Sequence, residues 1–139
     1  MPLRISVYCS SSPTIDKKYQ ELAFELGEAI GARSWNLVSG GGHISMMGAV
    51  ARGVRKSGGH TIGVIPQLLV DIEFADKDSH ELQVVGSMRE RKGRIEELGD
   101  AFIAIELPSQ SPKDHSVLTE QRDEPSVQRV LEFFSEKLK

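Results

Sequence analysis

Three consecutive glycines, Gly40 to Gly42, follow an apolar run and precede residues with helical spacing. Fixing a glycine in regular structure costs roughly 0.5–1 kcal/mol relative to alanine, so a cluster of three indicates an unusual turn or a ligand that approaches bare backbone. The first amides of a helix lack partners within the helix and lie at the positive end of its dipole. The position therefore favours a site for an anion such as phosphate, with a tight turn that binds nothing as the alternative.

A basic residue on an apolar helical stripe gives the second chemical signal. The segment "SMRERKGRIEEL" places Arg91 on the same stripe as Met88, Ile95 and Leu98, which is the predicted buried face, and Lys92 lies beside it. A buried arginine requires an anionic partner because an unpaired charge in the interior is costly. That partner is either a bound anion or an acid of the chain itself, unless the long side chain carries its charge out to solvent.

The two best-known phosphate-binding motifs are absent. The dinucleotide pattern G-x-G-x-x-G fails because Ser45 stands three positions after Gly42, and the next strand ends in "VIP" rather than in an acidic residue. No Gly-Lys-Ser/Thr sequence of the Walker type occurs. A mononucleotide or a sugar phosphate is therefore the better match. Glu73, in the loop after the third predicted strand, is an isolated acid with no partner evident from sequence alone.

An alternation of strands and helices must position these residues. Short apolar runs rich in β-branched residues predict strands, and apolar residues at helical spacing predict helices. Ser12 and Pro13 are predicted as the N-cap and first residue of the first helix, and Ser87 with Glu90 as a capping box. The predicted strands are 4–10, 35–40, 60–66 and 101–107 with a short apolar run at 82–86, and the predicted helices are 13–32, a segment from Ile44 that ends before Gly58, 88–98 and 125–138.

This order predicts an α/β domain with a Rossmann-like parallel sheet and helices on both faces, because apolar strands that alternate with helices are buried on both sides. We assign residues 1–107 to a Rossmann-like nucleotide-binding domain. Residues 108–139 are predicted to form a divergent polar loop and a C-terminal helix of the same domain.

Composition excludes several classes of partner. The net charge of −3 over 139 residues gives no electrostatic reason to expect nucleic acid or an anionic membrane. No apolar stretch reaches membrane-spanning length, and the N-terminal run is too short for a signal peptide. The single cysteine, Cys9, cannot form an internal disulfide, which favours a cytoplasmic location. The four histidines are far apart in the sequence, and no metal site is predicted.

Taken together, these segments resemble the LONELY GUY (LOG) family, often labelled "lysine decarboxylase-like". The matching segments cover about the first three quarters of the chain in family order. They are "VYCSSSP", "GGGHISMMGAVARGV", "GGHTIGVIP", Glu73, "MRERK" and "DAFIAI". The resemblance implies a cytokinin or nucleoside 5′-monophosphate phosphoribohydrolase, which releases the free base and ribose 5-phosphate without a metal or cofactor. It also implies a homodimer with the site near the interface.

The resemblance also implies roles for individual residues. Gly41, Gly42 and Gly48 would hold the phosphate of the nucleotide.

Four further residues are assigned in the same way. Met88 would line the base pocket, and Glu73 would contact the nucleotide and act in catalysis. Arg91 and Lys92 would bind the substrate, with Arg91 important for catalysis. This assignment agrees with the inward position of Arg91 that helical spacing predicts independently.

The sequence of this chain departs from the family pattern within the last predicted strand, 101–107. The family continues with PGGxGTxxE, which completes the phosphate site and supplies a second catalytic residue, whereas here "DAFIAI" runs into "ELPSQSPKDHSVLTEQRDE". Glu106 and Glu120 are the substitute carboxylates that this segment offers. We therefore expect a chain that binds nucleoside monophosphates and hydrolyses them slowly or not at all. The alternative is an inactive nucleotide-binding or assembly module of the same fold.

Overall fold

A computed structural model describes residues 2–105 of the chain, which are built around a five-stranded sheet. Every neighbouring pair of strands is parallel, and the strand order is β4-β3-β2-β1-β5. The interior strand β3, between β4 and β2, is buried along its whole length, as expected for a strand covered on both faces. The strands are β1 (Arg4–Tyr8), β2 (Asn36–Ser39), β3 (Thr61–Pro66), β4 (Glu81–Val85) and β5 (Ala101–Ala104).

Within residues 2–105, three α-helices cover the two faces of this sheet, which confirms the predicted α/β, Rossmann-like fold. From β1 to β4 the strands are added in one direction, and β5 is then added on the other side of β1. Because connections between parallel strands are right-handed, this reversal places α3 on the opposite face of the sheet from α1 and α2. The predicted helix at 125–138, Glu106, Glu120 and the proposed division at residue 107 lie outside the described residues. The helices are α1 (Lys17–Ala32), α2 (Ser45–Lys56) and α3 (Met88–Leu98).

Each face of the sheet has its own apolar cluster. On one face, α1 and α2 pack on β1 and β2, with Ile30 and Val54 among the fully buried side chains. On the other face, α3 packs Ile95 against Val38 and Val64. No helix within residues 2–105 is long and apolar enough to cross a bilayer.

The first helix begins later than its sequence signal predicts. Ser12 is not its N-cap. The helix starts at Lys17, and the Asp16 carboxylate accepts a hydrogen bond from the amide of Lys18 at 3.0 Å. Ser12 instead lies in the preceding turn, with its hydroxyl 3.0 Å from that of Thr14. Both residue types cap helices well, so the choice between them depends on where the chain leaves β1 rather than on propensity.

The start of α3 confirms half of its predicted capping box. The Ser87 hydroxyl accepts from the amide of Glu90 at 3.1 Å, whereas the Glu90 carboxylate accepts from the amide of Gly86 instead of Ser87. Arg91 is buried on the inner stripe as predicted. The predicted burial of Met88 is wrong, since its side chain is 43% exposed. Met88 is the first residue of α3, directly after the N-cap Ser87.

The first turn of α2 contains a strained residue. Ser45 has φ of +57°, a left-handed conformation that costs an L-residue roughly 1–2 kcal/mol, and its buried hydroxyl has no hydrogen-bond partner among the described residues. We expect Ser45→Gly to raise the free energy of unfolding by roughly 1 kcal/mol in urea denaturation. Ser45→Ala removes the hydroxyl but retains the strain, so its gain should be smaller. A loss of stability in Ser45→Gly would mean that the hydroxyl has a partner.

Candidate active site

The glycine loop between β2 and α2 lies at the carboxyl edge of the sheet, where α/β folds bind ligands. A side chain at Gly40 would collide with the guanidinium of Arg91 and with Met47. Gly41 has φ of +77°, a conformation that favours glycine, and its Cα would lie 2.7 Å from a Cβ at Gly63. The first two glycines are therefore explained by close contacts inside the protein.

The other two glycines that the resemblance assigns to phosphate are also packed against protein. A Cβ at Gly42 would lie 2.9 Å from the sulfur of Met47 and 3.2 Å from the Cβ of Glu73. A Cβ at Gly48 would overlap the carbonyl oxygen of His43. Contact between a phosphate and Gly41, Gly42 or Gly48 stays a prediction.

Backbone amides at the start of α2 have partners as well. The amide of His43 donates to the carbonyls of Phe74 at 2.7 Å and Glu73 at 3.0 Å, and that of Met47 donates to the carbonyl of Ser10 at 3.2 Å. A phosphate at this helix terminus would compete with these three carbonyls for the amides that the dipole makes attractive to anions.

A buried ion pair occupies the centre of this edge. Arg91 Nη2 lies 2.7 Å from Glu73 Oε1, and the two side chains are only 7% and 11% exposed. Arg91 also donates through Nη2 to the carbonyl of Gly40 at 2.5 Å and through Nε to that of Val64 at 3.0 Å. The second Glu73 oxygen accepts from the hydroxyl of Ser11 at 3.2 Å. The buried arginine thus has the anionic partner that its position requires, and that partner is an acid of the chain.

The remaining predicted site residues lie at the rim. The sulfur of Met88 lies 3.8 Å from Arg91 Nη1, so its exposed side chain adjoins the ion pair. Lys92 is exposed at the next position of α3. The structure therefore brings Met88, Arg91 and Glu73 together, with Lys92 directed to solvent beside them.

Sequence reasoning missed a second ion pair that holds the loop carrying Glu73. Asp76 is 1% exposed, and its carboxylate lies 2.9 Å from Arg55 Nη1 near the end of α2. The amide of Asp76 donates to the carbonyl of Gly41 at 2.8 Å, and Ala75 forms an antiparallel bridge with Gly42. The only signal in the sequence was Arg55 itself, which is equally well explained as a cation at a helix C-terminus.

Within residues 2–105, the cysteine and the stacked histidines are not part of the two ion pairs. Burial raises the pKa of the Cys9 thiol to about 12, which keeps it protonated. His60 and His80, far apart in sequence, stack with ring centroids 4.3 Å apart. The pKa of His80 is lowered, mainly by burial and further by the nearby His60 and Arg55. Its Nδ1 accepts a hydrogen bond from the amide of Thr61 at 3.0 Å. Within residues 2–105, no three His, Cys, Asp or Glu side chains are grouped to hold a metal ion.

Comparison with known families decides the classification. Residues 2–109 match the SLOG cluster4 family. The chain belongs to this family. The LOG resemblance predicted from the motifs is thereby confirmed, and the matched residues include both ion pairs and the whole described sheet.

Proteins similar to this chain include bacterial and plant members of the LOG group. The "cytokinin riboside 5'-monophosphate phosphoribohydrolase" of Mycobacterium tuberculosis is 52% identical over 101 residues, which cover 73% of this chain and 54% of that protein. The rice protein "cytokinin riboside 5'-monophosphate phosphoribohydrolase LOG" is 42% identical over 102 residues, covering 73% of this chain and 42% of that protein. The SLOG cluster4 chain thus spans about half the length of these curated relatives.

Solved structures with the same architecture are more distant in sequence. The molybdenum cofactor carrier protein of Chlamydomonas reinhardtii has a TM-score of 0.65 at 22% identity, covering 78% of this chain and 65% of that one. The molybdenum cofactor binding protein of Rippkaea orientalis has a TM-score of 0.67 at 19% identity, covering 98% and 86%. At these identities the likeness shows the fold alone.

Proposed function

We propose that this SLOG cluster4 chain binds nucleoside 5′-monophosphates and contributes catalytic residues to hydrolysis of their N-glycosidic bond. The products are the free base and ribose 5-phosphate, and cytokinin riboside monophosphates are included among the substrates. Support comes from the activity named for the relatives that are 42–52% identical. The observation that carries the proposal is the buried carboxylate of Glu73, held at the carboxyl edge of the sheet by Arg91 and Ser11.

The proposed chemistry requires such a carboxylate. As the bond between base and C1′ breaks, positive charge develops on the ribose, and a nearby carboxylate stabilises it. Water then adds to C1′ and loses a proton, while the base departs with the bonding electron pair and is protonated. Glu73 supplies the negative charge, and Arg91 fixes the direction of that carboxylate through the 2.7 Å contact.

The groups around this carboxylate suggest how the rest of the substrate binds. We assign the base to the exposed side of Met88 and the phosphate to the α2 terminus with Gly41, Gly42 and Gly48. Lys92 provides a solvent-facing cation for the anionic substrate. Binding of the phosphate, remote from the reacting bond, supplies energy that positions C1′.

A second candidate function is binding without turnover, as a nucleotide-holding or assembly module. The sequence after "DAFIAI" favours it, because the PGGxGTxxE motif and its glutamate do not occur there. Loss of one preorganised electrostatic group typically slows catalysis by ~10²–10³-fold. We therefore propose that the chain as given is impaired in hydrolysis while it retains binding.

We further propose a homodimer that buries part of the loop carrying Glu73. Leu68, Ile72 and Phe74 on this segment are 65%, 64% and 61% exposed, and exposed apolar side chains clustered along one loop are typical of interaction surfaces. We also propose a cytoplasmic location, because the single cysteine, Cys9, cannot form an internal disulfide.

The activity test is chromatographic detection of free base and ribose 5-phosphate from adenosine monophosphate and a cytokinin riboside monophosphate. We expect the 139-residue chain to turn over at least ~100-fold more slowly than the Mycobacterium tuberculosis relative, and Glu73→Gln to remove the residual activity. Glu120→Gln should change nothing. Rapid turnover that depends on Glu120 would show that the C-terminal segment replaces the missing motif, and turnover unaffected by Glu73→Gln would contradict the role of Glu73.

A further inference from the structure

A second buried carboxylate is held by a residue from another element of the fold. The Asp76 oxygens accept from Arg55 Nη1 at 2.9 Å and from Nη2 at 3.5 Å. The same carboxylate accepts from the amide of Asp78 at 3.2 Å, and the Asp76 side chain is 1% exposed. A carboxylate this far from water requires such partners, and removing one of them leaves an uncompensated charge.

The backbone of Asp76 and of the preceding residues is hydrogen-bonded to the glycine loop. The amide of Asp76 donates to the carbonyl of Gly41, and Ala75 forms an antiparallel bridge with Gly42. Two residues further back, the amide of His43 donates to the carbonyl of Glu73. Residues 73–76 therefore form a short clamped segment with Glu73 at one end and the Asp76 ion pair at the other.

The backbone conformation of Phe74, inside this segment, indicates that contacts with the surrounding protein fix the segment. Phe74 has φ of +50° although its ring is mostly exposed. Strained residues of this kind persist only when their surroundings determine the backbone. The carbonyl of Phe74 itself accepts from the amide of His43 at 2.7 Å, and the flanking Glu73 and Asp76 add the contacts described above.

We propose that Arg55 and Asp76 are positioning residues, which act through the 73–76 segment to place the Glu73 carboxylate for the nucleotide. This inference rests on the proposed function for the role of Glu73 toward substrate. Neither residue touches the Glu73 carboxylate; their effect passes through three residues of clamped backbone.

The test is a double-mutant cycle on the affinity for adenosine monophosphate, measured by calorimetry on the full chain. We expect Arg55→Ala and Asp76→Asn each to weaken binding on the order of tenfold, as Glu73→Gln does. In the Glu73→Gln background the same changes should add less than about twofold, because they act through that carboxylate. Fully additive losses would overturn the proposal, since a general loss of structure does not depend on Glu73.

Control variants keep the test decisive. Lys56→Ala alters the neighbouring, largely exposed cation, whose contact is Glu28 at 3.3 Å, and should leave affinity unchanged. If Arg55→Ala does not fold, Asp76→Asn carries the cycle alone, because it removes the buried charge while it retains the shape of the side chain.

A spectroscopic measurement separates this proposal from the proposed function. The carboxyl carbon resonance of Glu73, assigned by its absence in Glu73→Gln, should move in Asp76→Asn and stay in place in Lys56→Ala. If the wild-type chain binds no adenosine monophosphate, the proposed function fails, yet movement of this resonance still supports the positioning role. A resonance that stays in place in Asp76→Asn overturns it.

Discussion

Arg91→Ala is expected to lower the free energy of unfolding by about 3–5 kcal/mol, because it leaves the buried Glu73 carboxylate without its partner. The substitution also removes the donors that satisfy the carbonyls of Gly40 and Val64. Urea denaturation followed by circular dichroism measures the effect. This loss occurs without any ligand, because all of these partners belong to the protein.

Two further variants show that the loss comes from the buried pair. Arg94→Ala, on the same helix, removes an ion pair with Glu97 and a hydrogen bond to the Gln83 side chain, both at the surface, and should cost only about 1 kcal/mol. Adding Glu73→Gln to Arg91→Ala should recover part of the stability, because the uncompensated charge disappears. Equal losses of stability in Arg91→Ala and Arg94→Ala would mean that Arg91 does not lie on the buried face of α3.

Gly48→Ala is expected to destabilise the protein by about 1–3 kcal/mol or more, although alanine is normally the better helix former. The added Cβ would overlap the carbonyl oxygen of His43, which is backbone and cannot swing away. Displacing His43 also weakens the bond from its amide to Glu73. Thermal and urea denaturation without ligand measure this effect.

Gly93→Ala is the matched control for Gly48→Ala. Gly93 is also inside a helix, but among residues 2–105 no atom outside the adjacent backbone of that helix lies within 4 Å of a Cβ placed there. Alanine at this position should therefore raise stability by about 0.5–1 kcal/mol. Equal gains at both positions would show that Gly48 is not required by internal packing and would return it to a purely ligand-binding role.

The sequence predicts those parts of the site that depend on local periodicity. Helical spacing alone turns Arg91 inward, and the strand-to-helix junction places the glycines at the carboxyl edge. The same reasoning requires an anionic partner for Arg91 but leaves its identity open. Glu73 lies 18 residues away in an irregular loop, whose path is set by contacts with the glycine loop rather than by any repeating pattern.

The errors have the same origin. Ser12 and Asp16 are equally good caps in sequence, and only the path of the chain after β1 selects Asp16. Met88 falls on the buried stripe by spacing, yet it is the first residue of α3 and its side chain is exposed, whereas Arg91 and Ile95 further along the helix are buried.

The glycine cluster shows a further limit of sequence reasoning. A glycine pattern marks where a Cβ is not tolerated, but it does not distinguish a ligand from the protein as the neighbour. Here the guanidinium of Arg91 fills the space beside Gly40, and the backbone of Gly63 approaches Gly41. That distinction requires three-dimensional contacts.

The most direct test of the proposed site is a crystal structure of the wild-type chain with adenosine monophosphate. We predict the ribose within hydrogen-bonding distance of the Glu73 carboxylate, the base against Met88 and the phosphate at the amino end of α2. Adenosine monophosphate bound away from the carboxyl edge of the sheet, with the ion pair of Glu73 and Arg91 out of its reach, would contradict the proposal.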